Sequence, residues 1–348
     1  MNKSFCKSDL LPQRSRRVAK RMRDLPLLSY LGEEGDGGLE RCIFHQPVLL
    51  AEVIKNLAPK KDEIYLDGTF GAGGYSQAIL DEAACQLYAI DRDESAEKFA
   101  EKLTKKFGEN FIFLRGKFSD SQKLLAEKNV AKLDGMVFDI GVSSMQFDDK
   151  SRGFSFDSDA KLDMRMDQKN SLSAFEIVNE ASEEELSRII KEFGEEPKAK
   201  KIAKKIIAKR TEKPITTCRE LADIVRSFYF GYFKTDPATK TFQALRIFVN
   251  QELDELKGAL ASSVTLLKKG GRLIVVSFHS LEDQIVKNFL KKESGADQVV
   301  SRYQPEIQQG NSAKNFHVIT KSAISPTEEE IAANPRARSA RMRVAIRI

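Results

Sequence analysis

The stretch that most constrains this chain runs from Glu63 to Tyr75, E-I-Y-L-D-G-T-F-G-A-G-G-Y. Ile64, Tyr65 and Leu66 are strand formers that suit a buried position. Asp67 ends the apolar run, and Gly68, Gly71, Gly73 and Gly74 follow. A helical pattern, S-Q-A-I-L-D-E-A, begins at Ser76. A strand, a glycine turn and a helix make the first half of a βαβ nucleotide-binding unit, in which glycines admit positive φ and let backbone N–H groups approach a ligand. The second half follows one crossover later. Leu87 to Ile90 is strand-like and ends in Asp91, an acid placed to accept hydrogen bonds from both hydroxyls of a ribose.

The loop also discriminates between cofactors. A dinucleotide site calls for G-x-G-x-x-G, whereas from Gly71 this chain has G-A-G-G-Y-S, with Ser76 in place of the third glycine. Asp67, just before the loop, suits a cofactor without a pyrophosphate but with a charged amino-acid end. The pattern favours S-adenosylmethionine over a dinucleotide, and over a turn that binds nothing.

Downstream, Phe111–Leu114 leads into R-G-K-F-S-D, and Met136–Phe138 leads into D-I-G-V-S-S. Strand and helix patterns alternate, so a doubly wound, mostly parallel sheet is expected. Ligands of such sheets lie beyond the carboxyl ends of the strands. Asp91, Phe118, Asp139, Ser143 and Ser144 should therefore share one rim. A helical stripe at Leu49, Leu50, Val53, Ile54 and Leu57 precedes the unit, and His45 before it suits local capping or packing.

Beyond Arg152 the pattern changes. Four helical patterns, near 173–179, 182–193, 197–210 and 217–230, have no strand between them. In the third, Lys198, Lys201, Lys205 and Lys209 fall on one face. That face suits either a phosphate backbone or water. From Phe242 to Leu267 apolar residues step by threes and fours, marking one long helix stopped by Gly270 and Gly271. Leu273–Val276 is a further strand. At its carboxyl end, S-F-H-S-L-E-D brings His279 to the same rim, in a substrate-contacting or a structural role. The tail, N-P-R-A-R-S-A-R-M-R-V-A-I-R-I, reads as an extended segment or edge strand with a basic face.

Composition narrows the setting. The 348 residues carry a formal net charge of +6, which favours an acidic partner. Cys6, Cys42, Cys85 and Cys218 lie far apart, without metal-ligand spacing or a disulfide framework, so a reducing cytoplasm is the simplest setting. No apolar run approaches the length of a membrane span. Residues 1–41 hold a basic run from Arg14 to Arg23 and then G-E-E-G-D-G-G at 32–38. A disordered, solvated extension is favoured there over an RNA-binding arm or a targeting leader.

Eight segments in one order resemble a known family: D-G-T-F-G-A-G-G, A-I-D-R-D, F-D-I-G-V-S-S-M-Q, R-G-F-S-F, L-D-M-R-M-D, T-F-Q-A-L-R-I-F-V-N, S-F-H-S-L-E-D and N-P-R-A-R-S. They look like the bacterial small-subunit ribosomal RNA cytosine N(4)-methyltransferases, also called MraW or RsmH. The likeness runs from about Phe44 to the C-terminus. It implies a Rossmann-like methyltransferase core at 42–152 and 239–348, interrupted by a helical substrate-recognition domain at 153–238. It implies cofactor contacts at Gly73, Gly74, Tyr75, Asp91, Phe118, Asp139 and Gln146, to which the loop adds Asp67 and Gly71. Tyr75 stands where the family often has His, and Met145 where it often has Pro. The implied partner is small-subunit ribosomal RNA, free or in the assembled subunit, with no membrane and with room for a homodimer.

Cytosine's exocyclic amine is a poor nucleophile because its lone pair is delocalised into the ring. An acceptor on that amine localises the pair, and Asp139 is the first candidate. Ser143, Ser144 and His279 follow as base contacts or proton relays. The same chemistry would serve a DNA amino-methyltransferase. A cofactor-gated RNA-binding assembly factor would need no chemistry at all.

Overall fold

The computed structural model describes residues 47–296 and 314–348; the basic run at 14–23, the 32–38 stretch and His45 lie outside the described residues. The chain enters through α1 (Leu50–Leu57). It then alternates β1 (Ile64–Asp67), α2 (Gly74–Glu82), β2 (Gln86–Asp91), α3 (Glu97–Phe107), β3 (Phe111–Arg115), α4 (Ser121–Ala126) and β4 (Leu133–Asp139). The short α5 (Ser144–Asp148) ends this half. Four helices follow without an intervening strand: α6 (Ala174–Glu180), α7 (Glu183–Gly194), α8 (Ala199–Glu212) and α9 (Cys218–Arg226). Then come α10 (Ala238–Asn250), α11 (Glu252–Leu266), β5 (Leu267–Ser277), α12 (Ser280–Glu293), β6 (Phe316–Val318), α13 (Glu328–Ala333) and β7 (Arg341–Arg347).

The seven strands form one sheet in the order β3-β2-β1-β4-β5-β7-β6. β1 to β5 are parallel, and β7 runs antiparallel between β5 and β6, so the tail is a strand paired on both sides and β6, not the tail, forms the edge. The chain therefore reverses its winding between β1 and β4, where a doubly wound sheet opens its ligand crevice.

Strand residues alternate between two cores, as the two-residue period of a strand requires. Tyr65, Leu87, Ala89, Val137, Ile274 and Val276 pack on one side with α1, α2 and α3. Leu66, Tyr88, Ile90, Met136, Phe138, Leu273 and Val275 pack on the other with α11 and α12. Both faces are covered, which is why these strands carry near-continuous apolar runs.

A third core runs from Phe154 to Val249 and is built from α6 to α10 with Leu162, Met164 and Met166. Its helices start on sequence-encoded caps. Ser173 with Glu176, and Thr217 with Glu220, form reciprocal capping boxes that satisfy backbone N–H groups at the helix start.

The single helix expected from Phe242 to Leu267 is two. Gln251 adopts φ 52° and divides α10 from α11. The apolar stripe is continuous because it serves two cores in turn. Phe242, Leu245 and Val249 face the helical core, whereas Leu256 and Leu260 face the sheet. Nor do Gly270 and Gly271 terminate a helix. They lie within β5, where its register on β4 slips between Leu133 and Gly135.

Gly153 opens the helical segment at φ +75°, and a Cβ there would lie 2.4 Å from the Lys161 carbonyl oxygen and 2.8 Å from Asp163 N. Backbone cannot yield as a flexible side chain does. Gly153→Ala should therefore lose more than about 2 kcal/mol of stability, measured by denaturant unfolding; an unchanged midpoint would show that this approach is not tight.

Candidate active site

The carboxyl ends of β2, β1, β4 and β5 lie side by side and supply the rim. Asp67 ends β1 fully buried. Its Oδ2 accepts a hydrogen bond from Ser76 Oγ at 2.7 Å, and its Oδ1 accepts one from Thr69 N at 3.2 Å. It thus ties the first turn of α2 back to the strand. The loop between them is close-packed. Gly71 and Gly73 take φ +54° and +83°, and a Cβ on Gly74 would lie 2.1 Å from Pro47 Cγ. Tyr75 is buried and donates its hydroxyl to the Val48 carbonyl.

Asp91 ends β2. Its Oδ2 accepts from Gly71 N at 2.8 Å and its Oδ1 from Asp93 N at 2.9 Å. The acid expected to hold a ribose is therefore already oriented by the glycine loop. Burial pushes its carboxyl above the ordinary value, and the N–H donors of Asp93 and Gly71 oppose that.

Asp139 ends β4, with its N–H on Thr69 Oγ1 at 2.6 Å. Its Oδ1 is buried without a hydrogen-bond partner among the described residues. Burial, then the negative charges of Asp67 and Glu282, pushes its carboxyl well above the usual range. An unmatched buried acceptor costs free energy unless something else supplies a donor. Phe118 lies half-buried against Phe138, with ring centroids 5.8 Å apart.

Ser143 and Gln146 form a capping box on α5, which opens at Ser144. Both ends of the Gln146 amide are engaged: Oε1 accepts from Ser143 N at 3.0 Å, and Nε2 donates to Asp93 Oδ2 at 2.8 Å. Gln146 therefore braces the site. His279 caps α12. Its Nδ1 accepts from Glu282 N at 3.4 Å, and its Nε2 lies 2.9 Å from Glu282 Oε1 without the alignment of a hydrogen bond.

Sequence reading missed the charged residues that hold the rim. Glu282 is fully buried, and Glu252 lies nearby, clamped by Arg246 through hydrogen bonds of 2.8 Å to each oxygen. Glu252, His279 and Glu282 bring ligand atoms within 4.8 Å of one another, but Arg246 already supplies the opposing charge. The spacing H-S-L-E is a capping-box pattern, which was the available signal for Glu282. Asp93 takes hydrogen bonds from Gln146, Ser95 and Arg152. Burial opposes its charge, yet those bonds outweigh it and hold its carboxyl below the ordinary value.

The lysine row is not one surface. Lys201 and Lys205 are exposed on α8, whereas Lys198 precedes the helix and turns inward. Its Nζ donates to the Phe228 carbonyl at 2.6 Å and lies 3.7 Å from the centroid of the Tyr229 ring. In the same loop Phe230 and Tyr232 are 89% and 95% exposed.

Residues 42–348 match the family model described as the MraW methylase family. The chain belongs to the MraW methylase family. Its relatives include a protein named ribosomal RNA small subunit methyltransferase H from Paramagnetospirillum magneticum, 49% identical over 87% of this chain and 95% of that one. A protein of the same name from Neorickettsia sennetsu is 47% identical over 88% and 97%. Among solved structures, a protein titled a putative rRNA-methylase from Clostridium thermocellum aligns over 86% of this chain and 95% of that one, at 12% identity and TM-score 0.40.

The cofactor of this methylase is S-adenosylmethionine, and the rim suits it. Asp91 closes β2 with an oriented carboxyl, and Asp139 offers an oxygen without a partner among the described residues. No helix among the described residues is long and apolar enough to cross a membrane.

Burial raises the Asp67 carboxyl to about 6, with the hydrogen bonds from Ser76 and Thr69 opposing it. Its folded value exceeds its unfolded one, so its contribution to stability is complete below about pH 4. That contribution is lost as pH rises through about 6, by about 3 kcal/mol. Urea unfolding at pH 4.5 and 7 should show wild type losing stability relative to Asp67→Asn over this window. A pH-independent difference would show that Asp67 does not titrate there.

Proposed function

We propose that this methylase transfers the methyl group of S-adenosylmethionine to the exocyclic N4 amine of a cytidine in small-subunit ribosomal RNA. The observation that carries the reading is Asp139 Oδ1, a buried oxygen without a partner at the carboxyl end of β4. The names of its relatives support the RNA.

The cofactor supplies an activated methyl, and the reaction is an in-line displacement at that carbon. The protein has to align the amine, keep water out and hold the proton that leaves nitrogen. Asp139 accepts a hydrogen bond from the amine, which localises its lone pair as the new C–N bond forms. The carboxyl value raised by burial makes Asp139 a better resting place for a proton than an exposed aspartate. Asp91 holds the ribose hydroxyls, and Asp67 and Gln146 keep the loops in place. The target base leaves its stack to reach the rim.

We assign RNA contact to residues 153–238. Lys201 and Lys205 supply charge toward phosphates, and Phe230 and Tyr232 supply flat faces on which bases stack. Lys198 holds this loop in place from within. The reaction belongs in the cytoplasm, with either free RNA or the assembled subunit as substrate.

Asp139→Asn keeps the shape and one acceptor oxygen but loses the charge. At saturating cofactor, kcat should fall by about a hundredfold or more while RNA affinity changes little, because the interaction is used chiefly in the transition state. Radiolabelled methyl transfer to RNA, DNA and whole subunits, with mass spectrometry of the digest, reads this out. A ring-carbon or ribose methyl refutes the N4 chemistry, and label on DNA alone refutes the RNA substrate. An Asn variant at full rate moves the acceptor elsewhere.

Reversing Lys201 and Lys205 to Glu should weaken RNA binding and flatten its salt dependence while leaving S-adenosylhomocysteine affinity unchanged. Identical salt slopes in filter binding would return these lysines to solvent.

A further inference from the structure

The C-terminal segment carries arginines at 336, 338, 341, 343 and 347. Three of them are matched internally. Arg336 pairs with Asp148 at 3.1 Å, Arg343 grips Asp283 at 2.6 and 2.9 Å, and Arg347 donates to the carbonyls of Val264, Asn315 and Ile348. Arg338 and Arg341 are exposed and have no ion-pair partner among the described residues.

Those two arginines line one cavity of about 220 Å³, together with Phe278, His279 and the hydroxyl-bearing Ser325 and Ser339. Its position is fixed by strand pairing. Arg341 opens β7 opposite Ser277, the last residue of β5, and Ser277 Oγ donates to the Arg341 carbonyl at 3.3 Å. On the other side of β5, Asp139 pairs with Val276, and Ile140 N donates to the Val276 carbonyl at 2.8 Å. The cavity therefore lies at the ends of β5 and β7, one to two strand spacings, roughly 5 to 10 Å, from β4, which ends in Asp139.

The nearby acids are occupied. Asp283 is held by Arg343, Glu282 is buried behind His279, and Glu195 accepts the hydroxyl of Ser280 at the cavity wall. Two free guanidinium groups and two hydroxyls remain. Guanidinium forks match the tetrahedral oxygens of a phosphate, which they bind through paired charge-assisted hydrogen bonds. A carboxylate would also satisfy the charge, but a phosphodiester additionally uses the hydroxyl donors of Ser325 and Ser339. An RNA strand that delivers its base to Asp139 must also lodge its backbone within a nucleotide or two of that point.

We propose that Arg338 and Arg341, with Ser325 and Ser339, hold a backbone phosphate of the RNA strand beside the target nucleotide. This rests on the RNA reading above. Such a contact positions the strand and carries no sequence information of its own.

The test is Arg338→Ala/Arg341→Ala in the full chain, with small-subunit ribosomal RNA transcript as the probe in filter binding at several salt concentrations. The affinity should fall at least tenfold. The slope of log affinity against log salt should become shallower by roughly 0.7 to 0.9, the change for one lost phosphate contact. KM for RNA should rise, with kcat at saturating RNA unchanged within about twofold. S-adenosylhomocysteine titration establishes that the variant is folded. Arg338→Lys/Arg341→Lys, which keeps the charge and loses the fork, should recover most of the salt slope but only part of the affinity. Lys102→Ala, on α3 at the far edge of the sheet, should behave as wild type. A folded alanine variant with wild-type affinity and slope would overturn the proposal. Failure of the wild-type chain itself to bind or methylate the transcript would overturn the RNA reading, and this proposal with it.

Discussion

Asp91, Arg92 and Asp93 join the methyl-transfer rim to the helical segment. Asp91 faces the glycine loop. Arg92 turns the other way, to Glu255 at 2.8 Å, the Asn250 carbonyl at 3.0 Å and Met166 Sδ. Asp93 collects Gln146 and Arg152, and Arg152 goes on to the carbonyls of Arg165 and Met166. The side chains of the Arg92–Glu255 and Arg152–Asp93 pairs are all less than a tenth exposed. Buried pairs of this kind add little net stability over apolar replacements, but losing one partner costs about 3–5 kcal/mol because a charge is stranded. Their contribution here is registry: they fix where the helical segment sits on the rim. The acid that the glycine loop orients is two residues from the acid that anchors the helical segment.

The rim gathers acids where water is scarce. Asp67, Asp91 and Asp139 are each displaced toward the neutral form by burial, and repulsion from a neighbouring acid (Asp91, Asp93 and Asp67 in turn) adds to that displacement. A cationic sulfonium ligand relieves such a cluster and so favours the charged carboxylates. The positively charged residues keep to a second ring. Arg246, Arg92 and Arg152 stand behind the acids, and Arg338 and Arg341 stand beside them at the surface.

Legibility in the sequence followed the range of the interaction. The strand, loop and acid from Ile64 to Asp91 could be read because each depends on its immediate neighbours, and the sheet class followed from alternation alone. The break at Gln251 could not, because periodicity shows that a stripe is apolar and not which core it meets. Lys198 was placed by helical spacing on a phosphate face. The Tyr229 ring that holds its ammonium lies beyond the helix, and no local pattern connects the two. His279 was seen as a rim residue and Gln146 through the resemblance; their capping bonds were open to a local pattern, but the bond from Gln146 to Asp93 of another loop was not.

β4 and β5 are hydrogen-bonded neighbours, yet the whole helical segment lies between them in the chain. Pairing them from an unfolded chain means closing a very long loop, whose entropic cost grows with its length. The helical core from Phe154 to Val249 is made of contacts within that loop. Once it has condensed, Arg152 and Gln251 are held by one compact body, and the loop still to close shrinks to the segment after β4 and the helix α11. The helical insertion is thus also the device that lets the sheet close. Its helices, rich in local contacts, are suited to form ahead of the strands they bring together.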